Sequence, residues 1–184
     1  MTSMNEKIIE DAKKFKFSNL SEETIFEKFE DIHRWPYEYL FGQPTVEIIG
    51  LDRMSLFVSG SYIENAYVDK NLVKKYYDEG YTIIISRVNY LTKELRNYNQ
   101  MIKKYHKNIN INLYMSKGKK IISFPLHKHD YNVLVKNIKG SSTWIKEKDT
   151  VLLENQNVLC IPKFTNHQVI EIHKPKISLT CNFE

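Results

Sequence analysis

At 184 residues the chain suffices for one domain with a real core and is too short for two ordinary ones. Hydrophobic residues make up 42%, with 12 Tyr and 9 Phe, which excludes a disordered chain. The net charge of +5 is spread along the sequence, so no nucleic-acid partner is expected, and no stretch nears the roughly 20 apolar residues of a membrane span.

The first hundred residues favour helix. Ser21 can cap a helix whose first turn carries Glu22 and Glu23, Leu20 can staple onto Ile25, and the helix should end near Arg34, before Trp35-Pro36. Asp69 caps a second helix with Leu72, Val73 and Tyr76 on its apolar side, and Gly80 stops it. A β-rich run over 81–86 follows. Leu91, Leu95, Tyr98, Ile102 and Tyr105 then predict a helix from about Thr92 to Lys107.

From Ile109 the pattern changes to short strands: 109–114, 121–129, 133–138, 142–145, 151–153, 158–161, 167–172 and 177–183. That spacing predicts a barrel or sandwich. The lysine runs at Lys103, Lys104 and Lys107, and at Lys117, Lys119 and Lys120, read as solvated surface. Trp35 and Trp144 read as core. Cys160 and Cys181 lack metal-type spacing and are expected as reduced, buried thiols. The start of the chain has no apolar run of signal-peptide length, so a soluble, cytoplasmic protein is the expectation.

The chemistry-bearing residues are His127, His129 and His167. On a strand, positions two apart project to one face, so His127 and His129 can meet His167 from a neighbouring strand. Three imidazoles make a divalent-metal site with open positions for water, substrate or dioxygen. Tyr131 falls in phase with the pair, as a neighbour of the metal or a substrate contact. Arg87 is a candidate for binding a substrate carboxylate. His33, His106 and His173 fit no ligand geometry, although His173 follows the third-histidine strand and could reach the rim. No nucleophile elbow, Cys/His pairing or phosphate loop is present.

Four segments occur in order: Asn112-Leu113-Tyr114, His127-Lys128-His129, Gly140 to Trp144, and Ile161-Pro162 to His167. Together they resemble the JmjC-like cupins, and within them the cupin 4 branch that contains ribosomal-protein hydroxylases, over roughly residues 25–182. The resemblance implies a mainly β (α+β) fold: a double-stranded β-helix over about 109–184 with a helix-rich part over about 1–108, all in one domain. It also implies a divalent metal in the mouth and hydroxylation with 2-oxoglutarate. By position, His127 and His167 match the metal-binding histidines, Asn112 and Tyr114 the strand lining the pocket, and Thr180 (less securely Ser178) a hydroxyl on the last strand.

Two departures stand out. His129 replaces the family's aspartate, giving HxH for HxD and leaving a dipositive charge on the metal. Asp130 lies one residue out of phase and does not replace it. Ser142 stands where the family has the Lys or Arg that pairs with 2-oxoglutarate, and it cannot form a charge-assisted pair. Lys136 and Lys139 lie nearby but off that position. Another difference is Asn155-Gln156-Asn157 where cupins have Gly-Asp, a turn that asparagine tolerates.

The leading expectation is therefore a non-haem Fe(II) cupin oxygenase acting on a small molecule or amino-acid derivative, independent of 2-oxoglutarate. Zn, Mn and Ni are the alternative metals. Two further readings stay open: a 2-oxoglutarate-dependent peptide or amino-acid hydroxylase, and a metal- or ligand-binding cupin without redox chemistry. The chain stops after the last barrel strand, which turns the expectation away from a ribosomal substrate. Cupins often pair through their sheets, so a homodimer is expected.

Overall fold

The computed structural model describes residues 4–32, 45–50, 70–120 and 123–183. The expected helix end at Arg34, the cap at Asp69, and the positions of His33 and Trp35 lie outside these residues, as do Ile121 and Ile122.

Among the described residues four helices precede most of the sheet: α1 (Met4–Lys14), α2 (Glu22–Ile32), α3 (Lys70–Glu79) and α4 (Lys93–Ile102). The cap of α2 forms as expected: Thr24 N–H donates to Ser21 Oγ at 3.2 Å, and Ser21 N–H donates to Thr24 Oγ1 at 2.8 Å. Leu20 and Ile25 are both buried in one cluster, as a staple requires. In α4, Thr92 accepts from Leu95 N–H at 3.2 Å. This helix stops at Ile102, short of the expected Lys107, because 103–105 turn away. Gly80, at φ +98°, ends α3.

The strands are β1 (Thr45–Ile48), β2 (Ile83–Ser86), β3 (Asn110–Ser116), β4 (Asn132–Lys146), β5 (Asp149–Leu153), β6 (Val158–Ile161) and β7 (His167–Phe183). All pairings are antiparallel. The order is β1-β2-β3-β7-β4-β5, with β6 also on β4, and the described pairing does not close into a ring. The runs 133–138 and 142–145 are one strand, as are 167–172 and 177–183. These two long strands pair along their whole length, with register shifts between Asn137 and Ser142 and another between Thr143 and Trp144. The bend sits at Gly140, φ +79°, where a Cβ would collide with the Pro175 carbonyl oxygen. Only glycine fits there.

Alternation along the strands separates two environments. Ile83 and Ile85, then Ile111, Leu113 and Met115, then Ile177, Leu179 and Cys181 pack in one cluster with Ile8, Ile25, Val73, Leu95 and Tyr98 from the helices. The intervening residues face a cavity. A second cluster of Val133, Val135, Trp144, Leu159, Ile161 and Val169 walls the opposite side. Among the described residues no helix is long and apolar enough to cross a membrane.

Candidate metal centre

The segment carrying His127 and His129 is not the strand expected over 121–129. It is a loop with a single bridge, in which His127 and His167 exchange both backbone hydrogen bonds at 3.2 and 2.8 Å. Pro125 has no N–H to extend a ladder. Beyond the bridge, Phe164 N–H donates to the His129 carbonyl at 2.6 Å, so another loop takes over the pairing. Phe164 adopts φ 62°, a strained conformation for an aromatic residue, and its ring is exposed.

The three imidazoles nonetheless converge. Ring centroids lie 4.8 Å apart for His127 and His129, 4.4 Å for His127 and His167, and 5.2 Å for His129 and His167. Their candidate ligand atoms all lie within 4.8 Å of one another. One ion roughly 2.1 Å from each nitrogen needs them roughly 3–3.4 Å apart, so the rings draw closer together on binding it.

The surroundings fix ring orientation. His127 Nδ1 lies 2.7 Å from the Pro125 carbonyl and His167 Nδ1 lies 2.9 Å from the Thr165 carbonyl. A carbonyl only accepts, so both Nδ1 atoms carry the proton and both Nε2 lone pairs are left for a metal. His129 instead stacks on Tyr131, with centroids 4.6 Å apart and planes 10° apart. Burial holds His129 and His167 below the usual histidine range, and neighbouring imidazoles add to the effect. His129 and His167 therefore favour the neutral form, the one that coordinates metal.

The histidines line a cavity of about 260 Å³. Asn112, Tyr114, Thr180 and Tyr131 line it too, so the structure brings these expected residues together. Asn112 Oδ1 accepts from Arg87 N–H at 3.1 Å. Burial pushes the Tyr114 phenol up to about 12. Thr180 Oγ1, near that phenol, is buried without a hydrogen bond of acceptable geometry.

Two expected residues are not brought in. The Arg87 side chain does not line the cavity; its residue follows β2 at φ 57°. Ser142 is fully buried behind the wall, where its Oγ accepts the Trp144 indole N–H at 3.0 Å. Lys136 is on the far face of β4, donating to the Gln156 carbonyl at 2.7 Å. Gln156, rather than an asparagine, takes the left-handed turn position at φ 61°, held by its side-chain bond to the Ile138 carbonyl. His173 lies off the cavity, 2.7 Å from Thr143 Oγ1, and His106 stacks on Phe183. Cys181 is buried and Cys160 half-buried, both free.

Lys176 is the residue the sequence reading missed. It lines the cavity, 4% exposed, beside Ser142. The signal was present in the period-two run Lys176, Ser178, Thr180, Asn182, polar on one side of an otherwise apolar strand.

No family model and no curated protein sequence matches the chain. Among solved structures it is similar to the ribosomal oxygenase YcfD from Escherichia coli, in complex with cobalt and succinic acid. The TM-score is 0.51 at 14% identity, over 56% of this chain and 31% of that one. YcfD with cobalt and 2-oxoglutarate gives the same TM-score and identity. A cupin superfamily protein from Desulfitobacterium hafniense DCB-2 also matches, with a TM-score of 0.37 and 16% identity over 41% of this chain and 66% of that one. The likeness is one of fold, in keeping with the expectation from the sequence, and the chain spans about a third of YcfD.

Proposed function

We propose that this protein is a metal-dependent cupin oxygenase acting on a small molecule, with Fe(II) held by His127, His129 and His167. The observation that carries the reading is the convergence of three imidazoles beside a cavity with both polar and apolar walls, two of them with Nδ1 tied to backbone carbonyls. Bound Fe(II) would supply a redox-active Lewis acid with open positions for dioxygen and a substrate atom. The carbonyl bonds of Pro125 and Thr165 keep two rings in the ligating tautomer, and Tyr131 holds the third in place by stacking. Val133, Val135, Ile161 and Val169 limit water on one wall, while Asn112 and Tyr114 offer hydrogen bonds on the other. At about 260 Å³ the space lies near the lower end of small-molecule sites, roughly 300–1,000 Å³.

The test is oxygen uptake by anaerobically purified, Fe(II)-loaded protein against a panel of small amino-acid derivatives. Uptake that needs both metal and one substrate class supports the reading. Tight zinc with no uptake across the panel would favour a non-redox cupin. A second reading, a 2-oxoglutarate-dependent hydroxylase, is favoured by Lys176, which provides in the cavity the cation that position 142 lacks. Substrate-coupled succinate formation separates the two.

A further inference from the structure

A second space adjoins the metal cavity. It is an open groove of about 630 Å³ where the end of α4, the start of β3 and the end of β7 meet, lined in part by Lys103, Lys107, Asn108, Asn110, Tyr131 and Asn182. Tyr131 and Asn182 also line the metal cavity, so the two spaces share a wall. Tyr131 is the residue stacked on His129, which puts the groove one ring away from a metal ligand. By itself the cavity of about 260 Å³ falls short of the roughly 300–1,000 Å³ of a small-molecule site; extended into the groove it comes within that range.

The sheet makes the connection. Tyr114 and Ser178, then Asn112 and Thr180, then Asn110 and Asn182 are cross-strand partners of β3 and β7. Positions two apart share a face, so the three pairs form one polar row, about 13 Å long at roughly 3.3 Å per residue. The first two pairs line the metal cavity, and the third carries the row out into the groove. At that outer end Asn110 Oδ1 is buried with no hydrogen-bond partner. A buried acceptor of this kind calls for a donor.

Charge at the outer end has one sign. Lys103 and Lys107, expected as solvated surface, line the groove, and among the described residues no Asp or Glu does. Neither lysine forms an ion pair among the described residues. Lys103 Nζ donates to the Tyr90 hydroxyl at 3.3 Å, a partner that leaves its charge unanswered.

We infer that the groove is the outer half of the substrate site, and that the substrate is an elongated phosphate monoester, with its phosphoryl group held by Lys103 and Lys107 and its reacting end beside the three histidines. A phosphoryl group carries a charge of about −1.5 to −2 and three acceptor oxygens. Two ammonium groups and the carboxamides of Asn108 and Asn182 answer both the charge and the number of acceptors, whereas a carboxylate brings one charge for two cations. Asn110 sets a requirement for the middle of the molecule: a hydroxyl or amide N–H that donates to Oδ1. The inference rests on the proposed function for which end reacts, not for phosphoryl binding.

The experiment uses the full chain, free of metal and loaded with Co(II), titrated with 6-hydroxyhexyl phosphate and with 6-hydroxyhexanoate. Binding is read by calorimetry and by the side-chain amide NMR signals of the asparagines. The phosphate should bind at least about tenfold more tightly than the carboxylate and shift the signals of Asn108 and Asn182. Lys103→Met combined with Lys107→Met should weaken it at least about tenfold. Lys75→Met combined with Lys148→Met, the same loss of charge at exposed positions off the groove, should leave it unchanged. At a concentration that saturates the wild type, the phosphate should alter the visible spectrum of bound Co(II), and do so less in the Lys103 and Lys107 variant. Equal affinity for the phosphate and the carboxylate, equal losses in the two double variants, or an unaltered Co(II) spectrum overturns the inference. Phosphate binding by protein that takes up no Co(II) sinks the proposed function and leaves the phosphoryl site standing; Co(II) uptake with no phosphate binding does the reverse.

Discussion

Burial acts on the ionisable groups of this cavity in one direction. It disfavours charge on His129, His167 and Lys176 alike. For the histidines that means neutral nitrogens ready for a cation. Replacing His167 with Gln should lower Co(II) affinity by at least about a hundredfold, seen in the visible absorption of the Co(II) complex, since even outer partners of such ligands are worth about 10- to 100-fold. Unchanged affinity would remove His167 from the metal site. For Lys176, burial lowers the amine from 10.5 to about 7. Between those values the unfolded chain holds a proton that the folded chain has lost, so wild-type stability rises with pH across that window and the penalty is complete below about pH 7. Lys176→Met lacks this penalty. The variant should be the more stable by several kcal/mol, on the order of 5 at most, at about pH 6, with the gap closing toward pH 10. Urea denaturation at a series of pH values checks this, and a pH-independent gap would contradict it.

Among the elements, the bend in β4 and β7 decides where the cavity groups sit. Gly140 holds it at φ +79° against the backbone of Lys174 and Pro175. Gly140→Ala should cost roughly 2–4 kcal/mol by chemical denaturation, combining positive-φ strain with a clash against backbone. A loss under about 0.5 kcal/mol would mean the bend can relax. Ser21→Ala tests the cap of α2, with an expected loss of about 1 kcal/mol in the same measurement. Such features were legible in the sequence because they are local: a cap, a stop glycine, a period of two. The β6 run was read to its residues, and β2, β3 and β5 within two. What the sequence concealed was long-range. Nothing local says that 133–138 and 142–145 are one bent strand, since a bend and a turn both call for glycine. Alternation suggested that His127 and His129 share a side, but not that a loop rather than a ladder would hold them. The helix α1, as long as α2, went unread, and the four-residue β1 carries too little pattern to stand out. Lys176 was hidden for another reason: a lysine on a strand ordinarily faces water, and only the finished sheet shows which side its in-phase neighbours line.

Over the described residues, helices cover one face of the sheet and a small cavity with polar and apolar walls occupies the other, joined by strands whose alternate residues serve both. Stability and chemistry are thus divided by face, so substitutions on the helix side should unfold the chain while those on the cavity side alter binding. The centre of the account is that His127, His129 and His167 jointly hold one divalent cation. The most direct measurement is metal stoichiometry: titrate anaerobic, metal-free protein with Fe(II) or Co(II), beside a variant carrying His127→Ala, His129→Ala and His167→Ala. The account predicts one equivalent bound per chain in the wild type and none at that site in the variant. No binding by folded wild type, or equal binding by the two proteins, would contradict it.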